Sequence, residues 1–277
     1  DNFEYGKIDV AIVWNVPSQI LKKLLNVKVI FSLGAGVDHI INLSSYKQTP
    51  IFRIKDPNMR ERMFNHTLSQ VLNYQLKLNV YQKAQQKNLW LNERETPLNS
   101  KVTIGILGFG YLGRYIARNL ENLNYNIIAY KNSKLLVKES FKVYFGNKID
   151  HFISSSDIIV SILPSTEKTK NFINKNFLKK MKKNSLLINL GRGHSLNEDD
   201  LIFFLKSNKN VHASLDVFKK EPLKKSHKFW SNPNITITPH IAAVTDIESS
   251  IDYIYKRLLT IKKHSKIISD VNLKIGY

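Results

Sequence analysis

Cysteine is absent from all 277 residues. That excludes a disulfide framework, a thiolate metal site and a cysteine nucleophile, and it fits an intracellular home. No apolar run approaches the roughly 18–20 residues of a membrane-spanning helix, and no secretory hydrophobic stretch precedes the first polar segment. The expectation is a cytoplasmic protein with no membrane partner and no metal. Internal repeats and low-complexity tracts are also missing. Carboxylates are scarce: 22 Asp and Glu face 42 Lys and Arg, a formal charge of +20. Such an excess can serve nucleic acid or a membrane surface. Here, however, the lysines are scattered in pairs such as Lys22-Lys23, Lys219-Lys220 and Lys262-Lys263. The one cluster, Lys179-Lys180-Met181-Lys182-Lys183, has no interleaved aromatic residues to stack bases. The charge therefore reads as solvated lysine, with no nucleic-acid partner. Methionine is missing from the first position, which is Asp1, so a processed form or fragment is expected.

What is present is a core-forming composition, 43% hydrophobic and 10% aromatic, in a chain long enough for two modest domains. Its organising stretch is Lys101 to Leu120, KVTIGILGFGYLGRYIARNL. An apolar run, Val102 to Leu107, turns through Gly108, Gly110 and Gly113 and continues with helical apolar spacing. This is strand, tight turn, helix. Gly108 permits the turn, Gly110 lets backbone approach a pyrophosphate, and Gly113 lets helix and strand pack closely. A lone G-x-G-x-x-G says little, but here the strand and the helix that a dinucleotide site requires flank it. Apolar runs at 8–14, 27–33, 51–54, 126–130, 141–145, 157–163, 185–190, 213–217 and 235–238 predict further strands. Helical patterns lie between them, the longest from Met59 to about Leu89 and the last from Asp246 to about Lys263. Alternating strands and helices imply parallel α/β sheets. The polar, proline-containing stretch from Asn92 to Ser100 reads as a linker between two such domains.

Three polar residues fall just past apolar strands: Arg192 between Gly191 and Gly193, Glu221 before Pro222, and His240 after Pro239. Each alone reads as an ordinary loop cation, turn residue or structural histidine. Together they lie on the edge of the sheet where ligands bind in parallel α/β folds. An arginine fork matches a carboxylate and can polarise a carbonyl. A histidine, with an unperturbed pKa of about 6.5, can move a proton near neutrality. A glutamate bonded to it would fix its tautomer and favour its protonated form. Beside a nicotinamide, this set describes hydride transfer to a 2-oxo acid.

On these residues the chain resembles the D-2-hydroxyacid dehydrogenase family, in its glyoxylate/hydroxypyruvate reductase A branch. The matching segments are Ser32–Asp38, Gly105–Gly113, Leu163–Glu167, Leu190–Gly193, Glu198–Leu201, Leu215–Phe218, Lys220–Pro222 and Thr236–Ala243, in the family's order over nearly the whole chain. The resemblance implies a Rossmann-type dinucleotide-binding domain, residues 99–245, inserted in a smaller flavodoxin-like substrate domain, residues 1–98 with 246–277 returning to it. It implies Arg192 as the binder of substrate carboxylate and carbonyl, His240 as proton donor and Glu221 as its partner. Gly108, Gly110, Tyr111, Leu112, Gly113, Leu163, Pro164, Leu190 and Asp216 would contact the cofactor. Ala35 and Gly36 would hold the substrate carboxylate by backbone amides, with Trp90 near the substrate mouth. A homodimer is implied too. Against the family pattern, a strand and helix that would precede Ile8 to Trp14 are missing.

About 20 residues past the glycine turn, an NAD site usually carries Asp or Glu for the ribose hydroxyl. This chain has Tyr130-Lys131-Asn132-Ser133-Lys134 instead. The missing carboxylate, with Lys131, Ser133 and Lys134 suited to a 2′-phosphate, predicts NADPH over NADH. The sequence reading is an NADPH-dependent reductase of glyoxylate or hydroxypyruvate. The alternatives are a non-catalytic NAD(P)-sensing protein on the same fold and a basic nucleic-acid binder.

Overall fold

The computed structural model describes residues 4–92, 95–132, 138–262, 267–273 and 276. In chain order the elements are β1 (Val10–Val13), α1 (Ser18–Lys23), β2 (Val29–Ser32), α2 (Asp38–Ile41), β3 (Ile51–Arg53), α3 (Pro57–Gln75) and α4 (Leu78–Gln85). Then come β4 (Thr103–Leu107), α5 (Tyr111–Asn122), β5 (Asn126–Lys131), β6 (Lys142–Phe145), α6 (Ile149–Ser155) and β7 (Ile158–Ser161). The chain continues with α7 (Lys175–Leu178), β8 (Ser185–Asn189), α8 (Glu198–Ser207), β9 (Val211–Leu215), β10 (Ile235–Ile237) and α9 (Ile247–Lys262). It divides into two compact units.

The smaller unit comprises Asp1–Met59, Pro164–Lys168 and Val244–Tyr277. Its sheet is parallel, in the order β1-β2-β3. The central strand is buried on both faces, as a parallel strand covered on both sides must be. Successive side chains alternate between faces. Ile30 joins Leu21 of α1 and Ile40 of α2, while Val29 and Phe31 join Phe52 and Ile254 of α9. Asp56, fully buried, accepts from the Asn58 amide at 2.8 Å and the Ser249 hydroxyl at 2.6 Å. It thereby caps the start of α3 and ties it to the start of α9. β1 is an edge strand, with Ile12 and Trp14 half-exposed.

The larger unit comprises Arg60–Leu163 and Thr169–Ala243. Its seven parallel strands run β10-β9-β8-β7-β4-β5-β6. From β4 the chain steps outward through β5 and β6, then returns to place β7 on the other side of β4. This is the doubly wound arrangement, and the reversal next to β4 opens a crevice at the carboxyl ends of the strands. β7 and β8 are buried at every position, and the alternation of side chains again builds two cores. Ile104, Ile106, Ile158, Val160, Leu186 and Ile188 face one side; Leu107, Ile159 and Leu187 face the other.

Two features depart from the helical pattern in the sequence. The helix expected from Met59 to about Leu89 is interrupted. Lys77 has φ 56°, a left-handed residue that no α-helix continues through, so α3 ends at Gln75 and α4 starts at Leu78. The apolar periodicity runs on across this break and cannot mark it. Secondly, α3 lends Met63 and Val71 to the core around Ile104 and Ile116, so from Arg60 onward it packs with the larger unit. Trp90 lies beyond the end of α4 and is 92% exposed.

Candidate active site

The glycine turn follows β4 at the point where the strand order reverses. Gly108 has φ +103°, open to glycine and strained for other residues, and a Cβ there would meet the Ile162 carbonyl at 2.7 Å. A Cβ on Gly113 would meet the Gly108 carbonyl at 2.2 Å. The turn is thus a cradle that any side chain would fill. Gly110 is the N-cap of α5, and no side chain caps that helix end. The first amides of Tyr111 and Leu112 are therefore available to an anion, and the helix dipole favours one there. These residues fit a dinucleotide pyrophosphate.

Three neighbouring strands carry the other candidates, each just past its carboxyl end. β8 leads into Arg192, β9 into Asp216 and Glu221, and β10 into His240; β8–β9 and β9–β10 pair in parallel. Arg192 is half-buried, and its Nη1 donates to the Gly191 carbonyl at 3.1 Å. The Ser195 hydroxyl donates to the Arg192 carbonyl at 2.8 Å, which fixes the turn. The flanking glycines matter because this turn lies directly on other backbone. A Cβ on Gly193 would fall 1.9 Å from the Phe218 carbonyl carbon. That contact joins the Arg192 turn to the segment bearing Glu221.

Glu221 Oε2 lies 2.7 Å from His240 Nδ1, and Oε1 accepts from the Phe218 amide at 2.9 Å. One carboxylate is therefore anchored at one end and holds the imidazole with the other. It keeps a proton on Nδ1 and leaves Nε2 as the atom that can exchange one with a ligand. His240 has φ 55°, a region that histidine adopts more often than most residues but rarely. The turn is held by Asp216, which is 1% exposed. Asp216 Oδ1 accepts from the Thr238 hydroxyl at 2.6 Å and the Ile241 amide at 2.9 Å, and Oδ2 accepts from the Ala242 amide at 2.9 Å.

The family resemblance implied Asp216 as a cofactor contact. In the structure both its oxygens grip the residues around His240. Sequence reasoning missed two further supports. Glu198, in the first turn of α8, accepts from the Lys219 amide at 2.9 Å and steadies the Phe218–Glu221 segment. His66, on α3, lies 3.2 Å from Thr238 Oγ1. Burial pushes its proton affinity below the ordinary histidine value, with the Asp216 charge opposing. The Glu198–Leu201 match in the sequence was a signal for the first; His66 has none beyond its place on a helix.

The remaining candidates fall as follows. Leu163 and Leu190 are buried just past β7 and β8. Pro164 follows Leu163 and is half-buried. Lys131 ends β5, half-buried, while Ser133 and Lys134 lie outside the described residues. Tyr111, 40% exposed, opens α5, and the Arg60 guanidinium lies 5.7 Å from its ring centre. In the smaller unit, Ala35 and Gly36 sit in the loop after β2, where the Ser32 hydroxyl donates to the Gly36 carbonyl at 3.0 Å. Among the described residues no cluster of His, Cys, Asp or Glu could hold a metal, and no helix is long and apolar enough to cross a membrane.

The chain is similar to known proteins. Residues 68–242 match the profile of the D-isomer specific 2-hydroxyacid dehydrogenase, NAD binding domain. Glyoxylate/hydroxypyruvate reductase A of Yersinia enterocolitica serotype O:8 / biotype 1B is 32% identical over 275 residues, covering 97% of this chain and 88% of that protein. The crystal structure of an NADPH-dependent glyoxylate/hydroxypyruvate reductase from Sinorhizobium meliloti, in complex with NADP and sulfate, superposes with a TM-score of 0.92. It is 31% identical and covers 98% of this chain and 87% of that one. A D-isomer specific 2-hydroxyacid dehydrogenase from Xanthobacter autotrophicus Py2, in complex with NADPH and MES, has a TM-score of 0.93 at 26% identity, covering 100% of this chain and 87% of that one. The chain belongs to the D-isomer specific 2-hydroxyacid dehydrogenase family and is an NAD(P)-dependent oxidoreductase.

Proposed function

We propose that the chain reduces small 2-oxo acids with NADPH, taking glyoxylate to glycolate and hydroxypyruvate to glycerate. The observation that carries this reading is the anchored pair, His240 Nδ1 to Glu221 Oε2 at 2.7 Å, at the carboxyl edge of the sheet that bears the glycine turn. When bound, the reduced nicotinamide supplies a hydride. His240 Nε2 gives a proton to the carbonyl oxygen, and Glu221 stabilises the imidazolium before the transfer and fixes the ring throughout. Arg192 holds the substrate carboxylate and polarises the carbonyl. Gly108, Gly110, Tyr111, Leu112 and Gly113 hold the pyrophosphate; Leu163, Pro164 and Leu190 line the cofactor, and Asp216 lies near its carboxamide.

Ala35, Gly36 and Trp90 belong to the substrate side in this reading. The division read from the sequence, residues 99–245 for the cofactor and 1–98 with 246–277 for the substrate, is kept in this reading, except that from Arg60 onward α3 packs with the cofactor unit. Lys131, with Ser133 and Lys134, selects the 2′-phosphate. Relatives named as glyoxylate/hydroxypyruvate reductases, and solved structures holding NADP or NADPH, support this choice. The same reading makes the protein a cytoplasmic homodimer. Oxidation of NADPH and NADH against a panel of 2-oxo acids tests it. NADPH consumption with glyoxylate or hydroxypyruvate is expected. Nucleotide binding without turnover on any 2-oxo acid would instead leave a non-catalytic sensor.

A further inference from the structure

His66 stands apart from the residues that the proposed chemistry uses. It sits on α3, its side chain is 11% exposed, and it faces the carboxyl end of the strands that carry the site. Its Nε2 lies 3.2 Å from Thr238 Oγ1 and 3.9 Å from Asp216 Oδ1. Its Nδ1 is buried with no partner among the described residues.

Proton accounting settles the direction of these contacts. A threonine hydroxyl has one proton to give. That of Thr238 points to Asp216 Oδ1 at 2.6 Å, the shorter contact and to a carboxylate. Thr238 Oγ1 is therefore an acceptor toward His66, and Nε2 must carry the hydrogen. The other tautomer would bury an unpaired N–H at Nδ1 and set two lone pairs against each other at Nε2. A neutral ring is also what its burial favours. A relay results: His66 Nε2–H donates to Thr238, Thr238 O–H donates to Asp216, and Asp216 accepts from the amides of Ile241 and Ala242. Those two amides immediately follow His240, whose backbone has φ 55°. A left-handed residue holds that conformation only where its surroundings fix it.

We propose that His66 is a positioning residue for His240, acting through Thr238 and Asp216. Its donated hydrogen bond locks the Thr238 hydroxyl toward Asp216. The carboxylate so aligned grips the turn that sets His240 Nδ1 against Glu221. This rests on His240 being the proton donor. A histidine that merely filled the core would matter through its volume, whereas here one hydrogen at one nitrogen matters.

The test is single-turnover hydride transfer from NADPH to glyoxylate, with NADPH affinity measured by fluorescence and Tm alongside. His66→Phe keeps the ring and removes the donor. Losing one such bond is expected to slow transfer about 3- to 10-fold, with NADPH affinity unchanged. His66→Gln restores an N–H near the position of Nε2 and should recover most of the rate. In a Thr238→Val background, which removes the relay, His66→Phe should have no further effect. If the phenyl ring does not fold, His66→Leu supplies the donor-less comparison. Gln no better than Phe or Leu, losses that multiply in the double variant, or a wild-type rate in His66→Phe would each overturn the proposal. With wild type active and His240→Ala inactive, those outcomes sink the role of His66 alone. No turnover by wild type, or full activity in His240→Ala, overturns both readings.

Discussion

Gly193→Ala probes the join between the Arg192 turn and the Glu221 segment. The added Cβ would stand 1.9 Å from the Phe218 carbonyl carbon, 2.1 Å from its oxygen and 2.4 Å from the Lys219 nitrogen, against about 3.4 Å for ordinary contact. All three atoms are backbone, so no side chain can swing aside. The two segments must part by more than 1 Å. One carries Arg192, and the other carries the Phe218 amide that anchors Glu221 at 2.9 Å. A displacement of about 1 Å between groups that must act on one substrate can lower a rate by ~10²-fold. Overpacking of this kind costs about 1–3 kcal/mol, which for a unit of this size lowers Tm by roughly 2–12 °C. NADPH affinity should hold, because the glycine turn belongs to another strand. Steady-state kinetics, cofactor fluorescence and calorimetry read the three effects. Gly6→Ala, where nothing lies within 4 Å, is the neutral control. A Gly193→Ala enzyme with wild-type kcat would refute the claim that this backbone contact sets the relation between Arg192 and Glu221.

Three further outcomes follow. His240→Ala should lower turnover by about 10²–10⁴-fold with NADPH binding nearly unchanged; an active variant removes it as the proton donor. Tyr125→Phe leaves buried Gln75 without the hydroxyl that donates to its Oε1 at 2.7 Å, and should destabilise by about 1–3 kcal/mol in urea titrations. His66 and His212 both hold protons less readily than an ordinary histidine, whose pKa is about 6.5, chiefly through burial, with the Lys83 charge adding to the effect at His212. The unfolded chain then binds more protons just below pH 6.5, so their contribution to stability is complete above that value and is lost as pH falls through the lower, folded-state values. Urea midpoints should decline with acidification below 6.5, and His212→Gln should flatten that decline; an unchanged slope would contradict the burial argument.

The fold was largely legible because its signals are local. IDVAIVW, DIIVSIL and SLLINL are short, largely apolar segments; β7 and β8 are buried at every position, as strands covered on both faces are, while β1 carries the same composition at a sheet edge. The glycine turn was legible because its geometry demands glycine, as the close approaches at Gly108 and Gly113 bear out. The break at Lys77 was not legible, since a lysine forced into a left-handed conformation leaves no mark in composition. Nor was the allegiance of α3. An apolar stripe announces that a helix is buried, and Met63 and Val71 would look the same against either sheet.

The site divides along the same line. Arg192, Glu221 and His240 could be picked out because each follows an apolar strand, and strand ends are where a parallel sheet exposes its ligand edge. What makes them a site is different in kind. Asp216 reaches the Ile241 amide across 25 residues and the Ala242 amide across 26, and Glu198 reaches Lys219 across 21. His66 reaches Thr238 across 172. Such bonds follow no period, because strand order and not sequence spacing brings their ends together. A side chain that binds a backbone amide is also indifferent to what residue bears that amide, so the partner carries no signature at all. The reacting groups of this protein can therefore be guessed from one dimension, while the groups that hold them become visible only once β8, β9 and β10 stand side by side.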